Sequence, residues 1–227
     1  MKLDFHTHGK LAKKLPFSTD YTQWLFGEAR RAGLDALCLT EHFNTLQFGE
    51  LYSYIASVSR RCGDTLELEN GLKIFPGMET DVAEGGHILS VGPLEAILEL
   101  NRRLEPYKEK GDFLPFAGLM DLFEEYPVLV GCAHPYRAPG RVPRLPLDQL
   151  ERLKFLDLNG KDLALDRLRT ETLTRELGRR LSLRHRIELA DSAAFQVRTA
   201  CLLKRSLKEI HALGGDYVSA LLQNTVA

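Results

Sequence analysis

Seven short apolar runs alternate with longer stretches of helical periodicity, and this alternation restricts the fold more than any other feature of the sequence. The strand candidates are Leu3–His6, Ala36–Thr40, Lys73–Met78, Ile88–Val91, Val128–Ala133, Phe155–Leu158 and Arg186–Ala190. Between them the spacing predicts helices near Tyr21–Ala32, Phe48–Cys62, Leu94–Arg103, Phe116–Glu125, Leu147–Leu153, Ala164–Leu181 and Leu203–Leu213. A βαβα order of this kind predicts an α/β protein with a parallel sheet or barrel, and seven strands nearly close a barrel. Leu104–Pro115 and the proline-rich Pro135–Pro146 read as loops, since proline sustains neither a helix nor an inner strand. No repeat or polar linker divides the chain, so one domain over residues 1–227 is expected.

Charge and composition narrow the partners. Thirty Lys+Arg against 31 Asp+Glu leave a net charge of -1, which argues against an extended nucleic-acid surface and for a small substrate. No segment approaches the roughly 20 apolar residues of a membrane span, and Met1–His6 lacks the apolar run of a signal peptide; no membrane partner and a cytoplasmic location are expected. Cys38, Cys62, Cys132 and Cys201 are scattered without a C-x-x-C pair, and read as reduced thiols. The sequence leaves the oligomeric state open.

The chemistry lies in the histidines. Of seven, five stand at or beside an end of a predicted strand: His6, His8, His42, His87 and His134. The loops after barrel strands build the active face, so ligands of a barrel site must gather there. His87 fits less neatly, because it opens its strand. Alternate strand residues share a face, which groups Asp4 with His6 and His8, Thr40 with His42, Gly77 with Glu79, Cys132 with His134, and Leu189 with Asp191. Imidazole mixed with carboxylate suits Zn, Mn or Fe.

The order His6-Thr7-His8, Thr40-Glu41-His42, Gly77-Met78-Glu79, Gly86-His87, Ala133-His134-Pro135 and Ala190-Asp191-Ser192 resembles the PHP (polymerase and histidinol phosphatase) family, from Leu3 to about Ala200. Leu158-Asn159-Gly160 is similar to that family's late strand end. The resemblance implies a distorted TIM-like (β/α)7 barrel, a metal cluster on its carboxyl face, and phosphoester hydrolysis. It implies that His6, His8 and Asp191 bind one divalent ion, with Glu79 bridging to a second held by His87 and His134. His42 then belongs to a third position, which Ala193 leaves incomplete because the family commonly has Asp-x-His there; Asp20 is the only acidic candidate in the loop after His8. A two-metal centre is the expectation.

Paired divalent ions about 3.5–4 Å apart activate a bridging hydroxide as nucleophile and neutralise the leaving oxygen. His42 then binds phosphate or donates a proton, and Arg137 either grips a phosphate or is an ordinary loop arginine. Arg198 is a weaker phosphate candidate. Asp4 is a candidate orienter of an imidazole, and Asp81 and Glu84 form either a charged lip or a solvated loop. The leading expectation is a metal-dependent phosphatase acting on a phosphomonoester of a small metabolite or nucleotide. The alternatives are a phosphodiesterase or nuclease of the same fold and a catalytically degenerate binding or regulatory module. An amidohydrolase is disfavoured because Glu79, not a lysine, stands at the strand end where a bridging group is needed.

Overall fold

The computed structural model describes residues 2–138 and 140–181. Its strands are β1 (Leu3–Thr7), β2 (Ala36–His42), β3 (Ser59–Cys62), β4 (Thr65–Leu68), β5 (Lys73–Asp81), β6 (His87–Val91), β7 (Leu129–Ala133) and β8 (Phe155–Leu156). The helices are α1 (Thr19–Arg31), α2 (Phe48–Ser57), α3 (Leu94–Arg103), α4 (Phe116–Glu124), the short α5 (Leu147–Leu150) and α6 (Gly160–Arg180). The expected strand Arg186–Ala190 and helix Leu203–Leu213 lie outside the described residues. No described helix is long and apolar enough to cross a membrane.

The strands form one mixed sheet in the order β1-β2-β5-β6-β7-β8, with the β3–β4 hairpin attached to β5 through β4. β1, β2 and β5 are parallel, as are β7 and β8, but β6 runs antiparallel to both of its neighbours. Besides the antiparallel β3–β4–β5 pairing, the parallel order expected from the sequence is therefore interrupted at β6. The cause is local: only Val82–Gly86 separates β5 from β6, too short for a crossover helix, and Gly85 and Gly86 take up positive φ angles of 89° and 126° to turn the chain back. The helix expected to reach Cys62 likewise stops at Ser57, because the Gly63-Asp64 dipeptide closes a two-residue hairpin between β3 and β4.

The sheet curls strongly. β1 and β8 are five strand spacings apart, about 24 Å in a flat sheet. Yet the rings of Phe5 and Phe155 lie 5.1 Å apart, and His6 Nδ1 is 2.8 Å from Asp157 Oδ2 just beyond β8. Only a sheet rolled into an open, barrel-like half-cylinder brings its two ends together in this way. Phe5, Cys38, Leu89, Val91, Ala133 and Phe155 fill the concave side. Gly77 lies in this wall with no room for a side chain, since a Cβ there would stand 2.8 Å from the Ser90 carbonyl oxygen and from Thr40 Cγ2.

The helices cover the convex side. Ser18 caps α1 by accepting from the Tyr21 amide, and Tyr21, Trp24, Leu25 and Ala29 form its buried stripe. Phe48, Leu51, Tyr52 and Ile55 do the same for α2, as do Ile97 and Leu100 for α3. Burial of each large apolar side chain contributes about 1.5–3 kcal/mol. Cys38 and Cys132 are buried, and with Cys62 they are free thiols.

Candidate metal centre

Parallel strands end at the same rim, so β1, β2, β5 and β7 deliver His6 and His8, His42, Glu79 and His134 to one mouth of the half-barrel. The reversal of β6 explains the exception in the sequence pattern. Because that strand runs the other way, its first residue pairs with Asp81 at the end of β5 and with Ala133 at the end of β7, so His87 starts where the others finish.

Glu79 is the hub. Its carboxylate is buried, with Oε1 3.1 Å from His134 Nε2 and 3.4 Å from both His6 Nε2 and His87 Nδ1. Oε2 lies 2.8 Å from His42 Nδ1 and 3.4 Å from His8 Nε2. Among the described residues, two sets of donor atoms lie close enough to share an ion, His6–His8–Glu79 and Glu79–His87–His134, with Glu79 common to both. The rings are stacked: His8 on His42 at 4.3 Å and His6 on His134 at 5.4 Å between centroids.

The residues fit divalent ions chemically. Glu79 Oε2, His42 Nδ1 and His8 Nδ1 are buried without a well-formed hydrogen bond, an arrangement that is costly unless something else binds them. Among the described residues, five imidazoles surround one carboxylate, a nitrogen-rich set suited to Zn, Mn or Fe and unsuited to Ca or Mg.

Charge within the cluster is uneven. Burial opposes ionisation of Glu79 more than any single neighbour does, yet His6, His42 and His134 together hold its carboxyl well below the usual range. Burial likewise pulls His6 down, but the charges of Glu79 and Asp157 outweigh it and raise the imidazole to about 10. For His42, burial and the neighbouring His8 win over Glu79, and push it down to about 4. His134 is lowered chiefly by burial.

These shifts have opposite effects on stability in chelator-treated protein. His6 keeps its proton when folded up to about pH 10 but loses it near 6.5 when unfolded; its contribution is complete below 6.5 and disappears as the pH rises through 10. His42 stays neutral when folded down to about 4, whereas the unfolded chain takes up a proton near 6.5, so stability falls as the pH drops below 6.5. The urea midpoint is expected to peak near pH 6.5, with slopes on the order of 1 kcal/mol per pH unit on each side. A midpoint constant from about pH 5 to 9 would contradict this charge arrangement.

Two carboxylates at the site escaped sequence reasoning. Asp157, just past β8, receives both the His6 ring and, at 3.3 Å, the His134 backbone N–H. That amide belongs to a strained residue, with φ at 27°. Parity counted from Phe155 places Asp157 on the inner face, but an acid between Leu156 and Leu158 passes for part of an apolar strand. Glu41 is buried and accepts from the amides of His42 at 3.0 Å and Lys10 at 3.1 Å, tying the loop after His8 to β2.

Other candidates fall differently. Asp4 does not follow simple alternation, because a bulge sets three residue steps of β1 against two of β2; its Oδ1 accepts from the His6 backbone N–H, and the ring nitrogen Nδ1 goes to Asp157. Glu84 accepts from the Phe116 amide at the start of α4, and so caps that helix. Arg137 borders the site, its Nε bonded to Asp162 at 3.0 Å and an Nη to Asn159, the residue that caps α6. Asp20 is exposed in the first turn of α1. Asp191, Ala193 and Arg198 lie outside the described residues. A cavity of about 720 Å³ adjoins the cluster, bounded by Lys13, Asn44, His87, Phe113, His134 and Arg137.

No protein-family model matches the chain, and no curated protein matches it either. Among solved structures, the fold is similar to that of PsfC from Pseudomonas syringae PB-5123, at 21% identity and a TM-score of 0.60, over 81% of this chain and 74% of PsfC. It is also similar to the lesion-specific endonuclease PfuEndoQ from Pyrococcus furiosus, at 18% identity and a TM-score of 0.54, over 68% of this chain and 40% of that one. A complex of endonuclease Q with a 27-mer duplex carrying an abasic lesion at its active site gives the same score and identity over 41% of its chain. The chain thus spans about two fifths of endonuclease Q. At these identities the likeness is one of fold.

Proposed function

We propose that this protein is a metal-dependent phosphoesterase on a single PHP-like, distorted (β/α)7 barrel, acting on a phosphomonoester of a small metabolite or nucleotide. The observation that carries this reading is the sharing of Glu79 between two histidine groups at one rim of the curled sheet. His6 and His8 would hold one ion and His87 and His134 the other, with Glu79 available to both; the resemblance to the PHP family would add Asp191 to the first. Such ions supply Lewis acidity to the phosphoryl oxygens and offset charge on the leaving group. Arg137, oriented by Asp162 and Asn159, grips a phosphate oxygen from the edge of the cavity. His42 is neutral near pH 7 and serves as a hydrogen-bond partner to the phosphate rather than as a proton source.

A nuclease is the second reading, favoured by the likeness to endonuclease Q; the net charge of -1 favours the small substrate. Protein reconstituted with Zn, Mn or Fe and offered sugar phosphates, nucleoside monophosphates, histidinol phosphate and short oligonucleotides is expected to release phosphate from the small esters. Cleavage confined to oligonucleotides would select the nuclease. No cleavage of any ester by fully loaded protein would leave a binding module.

A further inference from the structure

We infer that Asp157 and Asp81 are positioning residues that turn opposite ring nitrogens of His6 and His87 toward Glu79, so that His6 binds its ion through Nε2 and His87 binds through Nδ1. The inference rests on the metal-centre reading above and adds residues to it. His6 Nδ1 lies 2.8 Å from Asp157 Oδ2, while its Nε2 faces Glu79 at 3.4 Å. His87 is reversed, with Nε2 2.9 Å from Asp81 Oδ1, and Nδ1 3.4 Å from Glu79 and 3.3 Å from His134 Nε2.

The direction of each hydrogen bond follows from a second donor. Asp157 Oδ2 also accepts from the His134 backbone N–H, which can only donate, so this oxygen is an acceptor and the His6 ring must supply Nδ1–H. Asp81 is anchored in the same way: its Oδ2 accepts from the Lys13 ammonium at 3.2 Å, which leaves Oδ1 as the acceptor facing His87 Nε2–H. With those protons placed, His6 Nε2 and His87 Nδ1 are the nitrogens beside the bridging carboxylate that can give up a proton and offer a lone pair to an ion. A carboxylate behind a ligating imidazole fixes both tautomer and ring angle. Glu41 does not complete a third pair of this kind, since its Oε1 is 3.7 Å from His8 Nδ1, beyond hydrogen-bond reach.

The two anchors also tie the centre to different parts of the fold. Asp157 joins β1 to the segment after β8, across the mouth of the half-barrel. Asp81 joins the end of β5 to Lys13 in the loop that follows His8.

Zinc is the probe, because it is diamagnetic. In full-length protein labelled with 15N-histidine and loaded with zinc, long-range proton–nitrogen correlations are expected to show His6 protonated at Nδ1 and His87 at Nε2, with His6→Gln and His87→Gln providing assignments. Asp157→Asn and Asp81→Asn are each expected to weaken zinc binding by about 10–100-fold in competition with a chelator. Circular dichroism of the metal-free variants checks their fold, and the wild-type spectrum decides the matter even where a variant does not fold. Zinc bound with the opposite tautomers, or with wild-type affinity in both folded asparagine variants, would overturn the inference and leave the two-position reading intact. Wild-type protein that binds no zinc would overturn both.

Discussion

Glu79→Gln protein is expected to retain neither ion and to lose hydrolysis by more than about a hundredfold, since even residues standing behind a ligand cost about 10–100-fold when removed. The substitution keeps the shape of the side chain and removes its charge, and no other described carboxylate approaches all five imidazoles. The same change takes from His6 one of the two anions that raise it, so the imidazole becomes easier to deprotonate. Elemental analysis of protein purified without chelator, with phosphate release measured on the same sample, tests this. A variant with two equivalents of metal and full turnover would exclude Glu79 as the ligand shared by the two positions. The urea midpoint of the metal-free variant separates loss of the site from loss of the fold.

Stripping the metal is expected to abolish turnover and to lower the melting temperature by roughly 8–16 °C for each ion lost, relative to protein held at a free metal concentration about 1,000 times the dissociation constant. An ion that binds only the folded chain stabilises it by about 4 kcal/mol at that ratio. For a chain of this size each kcal/mol moves the transition by about 2–4 °C. The donors come from β1 and the loop after it, β5, β6 and the segment after β7, so no unfolded segment reproduces the site. Scanning calorimetry before and after chelation, followed by readdition of Zn, Mn or Fe in turn, measures the shift and identifies the ion that restores activity. A midpoint unmoved by any of the three would mean that the folded cluster binds none of them.

Local regularity made part of this site legible. His6-x-His8, Glu79 and His134 stand at ends of apolar runs, and those runs mark strands that the structure reproduces, among the described residues, to within about three residues at each end. Where the chain turned back tightly, the pattern misled. Val82–Gly86, a loop in the sequence reading, is a hairpin turn that reverses β6 in a sheet expected to be parallel, and Gly63-Asp64 ends what otherwise continues as a helix. In both places a few residues of backbone geometry override the periodicity of the segments around them. The bulge in β1 did the same to side-chain parity, since one extra residue cancels the alternation on which the grouping of Asp4 with His6 relied.

The sequence alone determined the candidate ligands and the rim to which they belong, because hydrophobic alternation and the placement of polar residues at strand ends are properties of short segments. Only the tertiary structure decided that β6 runs backwards and thereby carries His87 to that rim, and that Asp157 and Asp81 stand behind His6 and His87. Both depend on the rolling of the sheet, which brings together residues as far apart as 6 and 157, and no local pattern encodes a distance of that kind.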